Sequence, residues 1–165
     1  MCIRDRTYLG ALKSTKVGDA APSLLIHSQK AGTALLDYLG RAARLHAKET
    51  TGLPAFVIPL AVEHIASTGI DLWLGSLAYG FGEVLLLLSG DEDPIYRLAL
   101  TEQVDLTNSI LVAMGYSKRI QCITANSSED IAPVSKVMAE LRQRKTHQLL
   151  ASLSLIHISE PTRPY

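Results

Sequence analysis

The chain has 165 residues, of which 16 are basic and 16 acidic, so its formal net charge is zero. This balance argues against the basic patch or stripe that nucleic-acid binding requires, and the length fits one domain of about 100–200 residues. The most apolar stretch, residues 70–88, contains Asp71, Glu83 and three glycines. It therefore differs from a membrane span, which needs about 20 largely apolar residues in a row.

Both ends of the chain have the pattern of translated adapter sequence. The string ATG TGT ATA AGA GAC AG encodes residues 1–5 and the start of Arg6, and its reverse complement encodes residues 153–158. This complementarity predicts that residues 1–6 and 153–165 come from a transposase adapter that flanked a sequenced insert. The native part is then predicted to be a single domain over residues 7–152, and a fragment open at both ends.

The segment 7–152 keeps a balanced charge and one thiol. Three basic and two acidic residues lie in the predicted adapter ends, which leaves 13 basic and 14 acidic residues. Cys122 is then the one cysteine, because Cys2 lies in an adapter end. A single thiol cannot close an internal disulfide or supply a cysteine-based metal cage. This cysteine usage favours the cytoplasm as the compartment.

Four short apolar runs alternate with segments of helical periodicity. SLLIH (residues 23–27) predicts the first strand. A helix is predicted from about Gly32, with an apolar face that comprises Leu35, Leu36, Leu39, Ala42 and Ala43. Gly52 and Pro54 break the chain before the second run, AFVIPLAV. Pro59 lies inside that run, which predicts that the strand ends there or lies at a sheet edge.

The middle of the chain predicts a buried helix, a central strand and a capped helix. GIDLWLGSLAY (residues 69–79) is apolar on nearly every side, which suits a helix packed deep against a sheet, and the glycines of YGFGE end it. EVLLLLS (residues 83–89) is continuously apolar, which is typical of a parallel strand buried on both faces. Asp93 and Pro94 predict the start of the next helix, and Gly115 its end. Its predicted inner face comprises Tyr96, Leu100, Val104, Leu111 and Met114.

The last two elements complete an alternating pattern. RIQCIT (residues 119–124) predicts the fourth strand, and Ser128 can cap the final helix. The apolar face of that helix comprises Ile131, Val134, Val137, Met138 and Leu141. Strands that alternate with helices imply a parallel sheet with right-handed crossovers. The predicted fold is a four-stranded α/β sandwich of Rossmann or flavodoxin type, with helices on both faces.

Ligands in such folds bind at the loops that follow the strands, and the first two loops offer weak candidates. His27, Ser28 and Lys30 follow the first strand and could contact a ligand, but they lack the glycine spacing of the known phosphate loops, so we favour an ordinary polar turn. Glu63 and His64 follow the second strand and could serve as an acid/base pair or as ligands. Adjacent residues of an extended chain point in opposite directions, which favours a turn into the next helix instead.

The third loop and the fourth strand complete the candidates. Ser89 opens the segment SGDEDP, whose carboxylates could bind magnesium. They suit equally a solvated loop at the positive end of the next helix, which is the interpretation we favour. Cys122 lies among apolar residues of a strand and is predicted to be buried and unreactive. No Ser/His/Asp or Cys/His arrangement can be assembled from the sequence.

Three stretches together resemble a known family: LLIHSQKAGTALL, LPAFVIPLAVEHIASTGIDLWLGSLAYGFGEVLLLL and YRLALTEQVDLTNSILVAMGY. They are similar to the C-terminal α/β region of large bacterial 4Fe-4S binding, ferredoxin-like iron–sulfur proteins, in which cysteine-rich ferredoxin modules precede such a region. TYLGALKSTK resembles the helix that joins the two parts. The similarity spans roughly residues 7–116.

The resemblance implies electron transfer by the parent protein, with 4Fe-4S clusters in its missing part. Cluster ligation needs several cysteines at short spacings. This segment has one cysteine and no such spacing, so no ligand residue carries over. For this domain the resemblance implies a cluster-free scaffold or a docking site for the ferredoxin modules or a redox partner. The alternative is a small Rossmann-like nucleotide- or flavin-binding module, or an enzyme, that acts around His27, Glu63, His64 and Ser89.

Overall fold

The computed structural model describes residues 21–143 apart from Ala47, Asp91 and Ser128. In this range strands and helices alternate along the chain. They are β1 Ser23–Ser28, α1 Ala31–Leu45, β2 Val57–Val62, α2 Ile70–Ala78, β3 Glu83–Leu88, α3 Pro94–Ala113, β4 Ile120–Thr124 and α4 Ala132–Gln143. A short 3-10 turn, Ile65–Ser67, precedes α2. The predicted cap Ser128, the predicted adapter ends 1–6 and 153–165 and the predicted joining helix TYLGALKSTK lie outside the described residues.

The strands form one parallel sheet in the order β2-β1-β3-β4. After β1 the chain adds β2 on one side of it. The chain then returns to place β3 and β4 on the other side, so the direction in which strands are added reverses between β1 and β3. This is the flavodoxin-like form of the doubly wound α/β fold. The predicted fold class is confirmed.

Helices cover both faces of the sheet. Helices α2 and α3 cover one face, the α2/α3 face, whose core includes Leu24, Ile26, Trp73, Leu77, Val84, Leu86, Leu88, Leu100, Val104 and Leu111. Helices α1 and α4 cover the other, the α1/α4 face, whose core includes Leu25, Leu35, Leu39, Leu85, Leu87, Ile123, Val134, Met138 and Leu141. All four side chains from Val84 to Leu87 have no exposed surface. The predicted two-sided burial of the third strand is therefore confirmed.

Helix α3 begins as predicted, but its predicted inner face is wrong at both ends. The Asp93 side chain accepts a hydrogen bond from the Ile95 backbone N–H at 2.8 Å, and Pro94 takes the first helical position. Tyr96 and Met114, however, are 57% and 52% exposed. A step of four residues turns about 40° around the helix axis and a step of three about 60° the other way. The two outermost residues of the row therefore leave the sheet side.

Strand β2 continues through Pro59 and forms one edge of the sheet. Of the two predicted outcomes for this proline, the edge position is the one observed. Glycines end α2 and α3 as predicted, because Gly80 (φ 103°) and Gly115 (φ 85°) adopt the left-handed conformation that other residues avoid. Among the described helices, none combines the length and the apolar character needed to cross a membrane.

We expect Leu85→Ala and Leu86→Ala each to lower the free energy of unfolding by about 2–5 kcal/mol, because each truncation loses transfer energy and leaves a cavity. The two residues face opposite sides of β3, so comparable losses indicate that both faces are packed. Chemical denaturation followed by circular dichroism measures both values. A large loss for one variant and none for its neighbour would show that the sheet has an open face.

Candidate functional site

The carboxyl ends of the four parallel strands bring four loops to one edge of the sheet. All four sequence-predicted candidates lie at this edge: His27 at the end of β1, Glu63 and His64 after β2, and Ser89 after β3. The strand order reverses between β1 and β3, and open α/β sheets bind ligands at the carboxyl ends of the strands beside such a reversal. The groups at this position therefore decide what the site can do.

A buried pair of hydroxyls joins β1 and β3 at their carboxyl ends. Ser28 Oγ lies 3.0 Å from Ser89 Oγ, and either hydroxyl can donate the hydrogen bond. Ser28 Oγ also accepts a hydrogen bond from the Gly32 backbone N–H at 2.9 Å. A helix begins with N–H groups that lack intrahelical partners, and Lys30 makes no side-chain cap bond at the start of α1. Ser28 thus ties the helix to both central strands.

His27 is part of the packed interior rather than a free side chain at the edge. It is buried, and its Nδ1 lies 3.0 Å from the Ser28 carbonyl oxygen, so Nδ1 carries the hydrogen and donates. A Cβ atom on Gly32 would lie 2.8 Å from His27 Cβ, closer than real Cβ contacts allow. The absence of a side chain at Gly32 therefore makes room for the imidazole.

Glu63 and His64 are exposed at the end of β2. The His64 carbonyl oxygen accepts hydrogen bonds from Ser67, one from the backbone N–H at 3.1 Å and one from the hydroxyl at 2.6 Å. These contacts start the 3-10 turn that leads into α2, as the alternative interpretation of this loop predicts. The two side chains remain available to solvent at the carboxyl edge.

The carboxylates after β3 have structural contacts that the sequence did not reveal. The Glu92 side chain is buried and accepts a hydrogen bond from the Ile65 backbone N–H at 3.4 Å, which links this loop to the one after β2. Arg97 donates to the carbonyl oxygens of Glu92 at 3.1 Å and of Ser89 at 3.0 Å. With Asp93 capping α3, these contacts give the Glu92 and Asp93 carboxylates structural roles.

Gly90 brings the loops after β3 and β4 into direct contact. A Cβ atom at Gly90 would collide with the Asn126 carbonyl oxygen. The Asn126 backbone N–H donates to the Asp130 carboxylate at 3.1 Å, which holds the loop in this position. The signal in the sequence was the glycine itself, but the partner could not be read from it.

Cys122 is half-buried in the edge strand β4. Burial raises the pKa of its thiol to about 11, with a further rise from the negative charge of Asp105, while a hydrogen bond with the Thr101 side chain acts in the opposite direction. A thiol with a raised pKa is protonated at neutral pH and therefore a poor nucleophile. This agrees with the prediction that Cys122 is unreactive. Among the described residues, no three His, Cys, Asp or Glu side chains lie together as a metal site would require.

Comparison with known proteins gives no relative for this chain: no protein-family model matches it, and neither does any curated protein.

We expect Ser28→Ala to lower the free energy of unfolding by about 1–2 kcal/mol, because it removes the helix cap at Gly32 and the hydrogen bond to Ser89. Ser109→Ala is the matched control, since the Ser109 hydroxyl is exposed and bonds only the Asp105 carbonyl of its own helix. That variant should stay within about 0.5 kcal/mol of wild type. Equal losses in urea denaturation would contradict the capping role.

Alkylation of Cys122 by iodoacetamide should be slow at pH 8 and keep rising to about pH 11, since only the thiolate reacts. The measurement uses a Cys2→Ser background, so that one thiol is followed by mass spectrometry. Asp105→Asn removes the neighbouring charge, lowers the pKa and should speed the reaction at pH 8. A rate that levels off near pH 9, the ordinary value, would contradict the raised pKa.

Proposed function

We propose that this chain is a cluster-free α/β domain of a 4Fe-4S ferredoxin-like electron-transfer protein, and that it serves as a scaffold on which iron–sulfur modules dock. The proposal combines the family resemblance of the sequence with the surface of helix α3. In this role the domain carries no redox centre. It holds neighbouring modules in place.

The observation that carries the proposal is the outer face of α3, where large apolar side chains are exposed. Six of them on this helix are between 38% and 74% exposed: Ile95, Tyr96, Leu98, Leu106, Ile110 and Val112. Most lie on the side opposite the buried residues Leu100, Val104 and Leu111. Exposed large apolar side chains gathered on one helix mark a surface suited to contact with another protein. We assign that contact to a ferredoxin module of the parent chain.

The chemistry of Cys122 supports a cluster-free role. An iron–sulfur cluster is held by several cysteine thiolates. Cys122 is the one cysteine among residues 7–152, and burial raises its pKa to about 11. Clusters therefore belong to the partner module in this proposal.

A second candidate function rests on the carboxyl edge. Gln29, Lys30, Glu63 and His64 are exposed there, beside the strand-order reversal where nucleotides and flavins bind in doubly wound folds. The Ser28–Ser89 hydroxyl pair lies between β1 and β3, is buried and is already hydrogen-bonded within the protein. This favours the docking role over a ligand inserted between β1 and β3. Titration with FMN, followed by its fluorescence and by the amide signals of Gly32 and Ser89, tests the second candidate directly.

The docking role is tested by titrating the chain with a purified bacterial two-cluster ferredoxin under anaerobic conditions. We expect weak, reversible binding, as is usual for redox encounters. Leu106→Asp should weaken it about tenfold, because a carboxylate is then buried in an apolar contact. Isothermal calorimetry gives the affinity, and amide shifts place the contact on α3.

Leu45→Asp is the matched control. Leu45 is 78% exposed at the end of α1, a helix on the opposite face of the sheet, so this variant should bind like wild type. Equal weakening by both variants would mean that binding is non-specific. Absence of binding, or shifts confined to the carboxyl edge, would refute docking on α3.

A further inference from the structure

The two edges of the sheet differ in their capacity to accept another strand. On the β2 edge, Ser23 N–H donates to Phe56 O and Gln29 N–H donates to Val62 O. The backbone N–H and C=O groups of even-numbered residues of β2 therefore point to β1, and the backbone of Pro59 points away from the sheet. Proline has no N–H to donate, and its ring blocks the position, so this edge cannot extend a regular ladder.

The β4 edge is open by the same reasoning. Val84 N–H donates to Arg119 O, and Ala125 N–H donates to Leu88 O. The backbone N–H and C=O groups of odd-numbered residues of β4 therefore point to β3. Those of Ile120, Cys122 and Thr124 point away from the sheet. The strand, IQCIT, contains no charge and no proline, the usual devices that protect an edge. In the part of the chain that the structure describes, no strand pairs with this edge.

At the start of this edge, the Asn108 side chain makes the hydrogen bonds that a neighbouring strand would make. The Asn108 amide donates from Nδ2 to Ile120 O at 2.8 Å, and its Oδ1 accepts from Ile120 N–H at 3.2 Å. These two bonds are those a neighbouring strand would make to the same residue. Cys122 and Thr124 continue the row beyond Asn108 and offer the next two donors and two acceptors.

The position of α4 disfavours the segment that follows it as the source of a strand beside β4. The crossover from β3 to β4 places α3 on the α2/α3 face, and a next strand beyond β4 would need its helix on that same face to keep the right-handed connection. Helix α4 instead packs on the α1/α4 face. A strand that follows α4 directly would reach the β4 edge only through a left-handed crossover. This argues against the segment that directly follows α4, and we assign the occupant to another protein.

A negative charge next to the β4 edge favours an incoming strand that carries a basic side chain. Asp105 is exposed on the flank of α3 beside β4 and is close enough to Cys122 to affect its thiol. A second copy of this chain, paired antiparallel about a two-fold axis at β4, would bring two Asp105 side chains to the same place. Like charges oppose that arrangement, whereas a lysine or arginine on the incoming strand would be attracted.

We propose that the outer edge of β4 binds an extended segment of another protein, which pairs with the backbone of Cys122 and Thr124 and places a basic side chain beside Asp105. Main-chain hydrogen bonds supply the affinity in this mode, and side chains supply the specificity. The proposal is independent of the docking role assigned to the outer face of α3.

Amide hydrogen exchange of the full chain, followed residue by residue by NMR, tests it. In the free chain we expect fast exchange at Cys122 and Thr124 and slow exchange at Gln121 and Ile123, at every protein concentration. The probe is a blocked five-residue peptide of valine and threonine around a central lysine. At saturation it should slow Cys122 and Thr124 at least threefold, and the same peptide with a central glutamate should bind about threefold more weakly.

Two variants complete the test, and both change exposed side chains. Asp105→Lys should reverse the preference, so that the glutamate peptide binds better. Asp37→Lys, on the opposite face, should leave the preference unchanged. Slow exchange at Cys122 in the dilute free chain would mean that this chain covers its own edge. Protection that rises with protein concentration would mean that a second copy does. Either result overturns the proposal, as does exchange that neither peptide changes.

Discussion

The removal of the third strand from water on both of its faces is the constraint on which this structure depends. Val84 to Leu87 retain no exposed surface, and alternate residues contact opposite helix layers. A strand of this kind requires cover on both sides. The strand order supplies it, because right-handed crossovers that run in opposite directions along the sheet place their helices on opposite faces. The parallel strands also gather four loops at one edge.

At that edge the buried polar groups mainly connect the strands, helices and loops of the domain to one another. Ser28 caps a helix and bonds the neighbouring central strand, Glu92 links two loops, and Arg97 holds two carbonyl oxygens. Two further surfaces, the outer face of α3 and the outer edge of β4, present groups suited to other proteins. The proposed scaffold role depends on the first of these surfaces, and the proposed strand pairing depends on the second.

The sequence predicted the elements well because buried runs and helical periodicity are local signals. The predicted inner face of α3 is wrong at Tyr96 and Met114. The apolar row in the sequence extends further than the contact between the helix and the sheet, and only tertiary structure shows where that contact ends. The site was predicted less well. The Ser28–Ser89 contact joins residues 61 positions apart, and the Glu92–Ile65 contact joins two loops, so both depend on strand order rather than on local pattern. His27 illustrates the limit, since its burial depends on the space left by Gly32.

The contact between Gly90 and the Asn126 carbonyl divides the loops at the carboxyl edge into two kinds for protein engineering. The loops after β3 and β4 fit against each other with no room for a single added carbon atom, so inserted residues there would push the two strand ends apart. The side chains of Gln29 and Lys30 after β1, and of Glu63 and His64 after β2, are exposed, so substitutions there meet solvent rather than a neighbouring loop. A binding or catalytic function grafted onto this fold is therefore best built from the β1 and β2 side of the sheet.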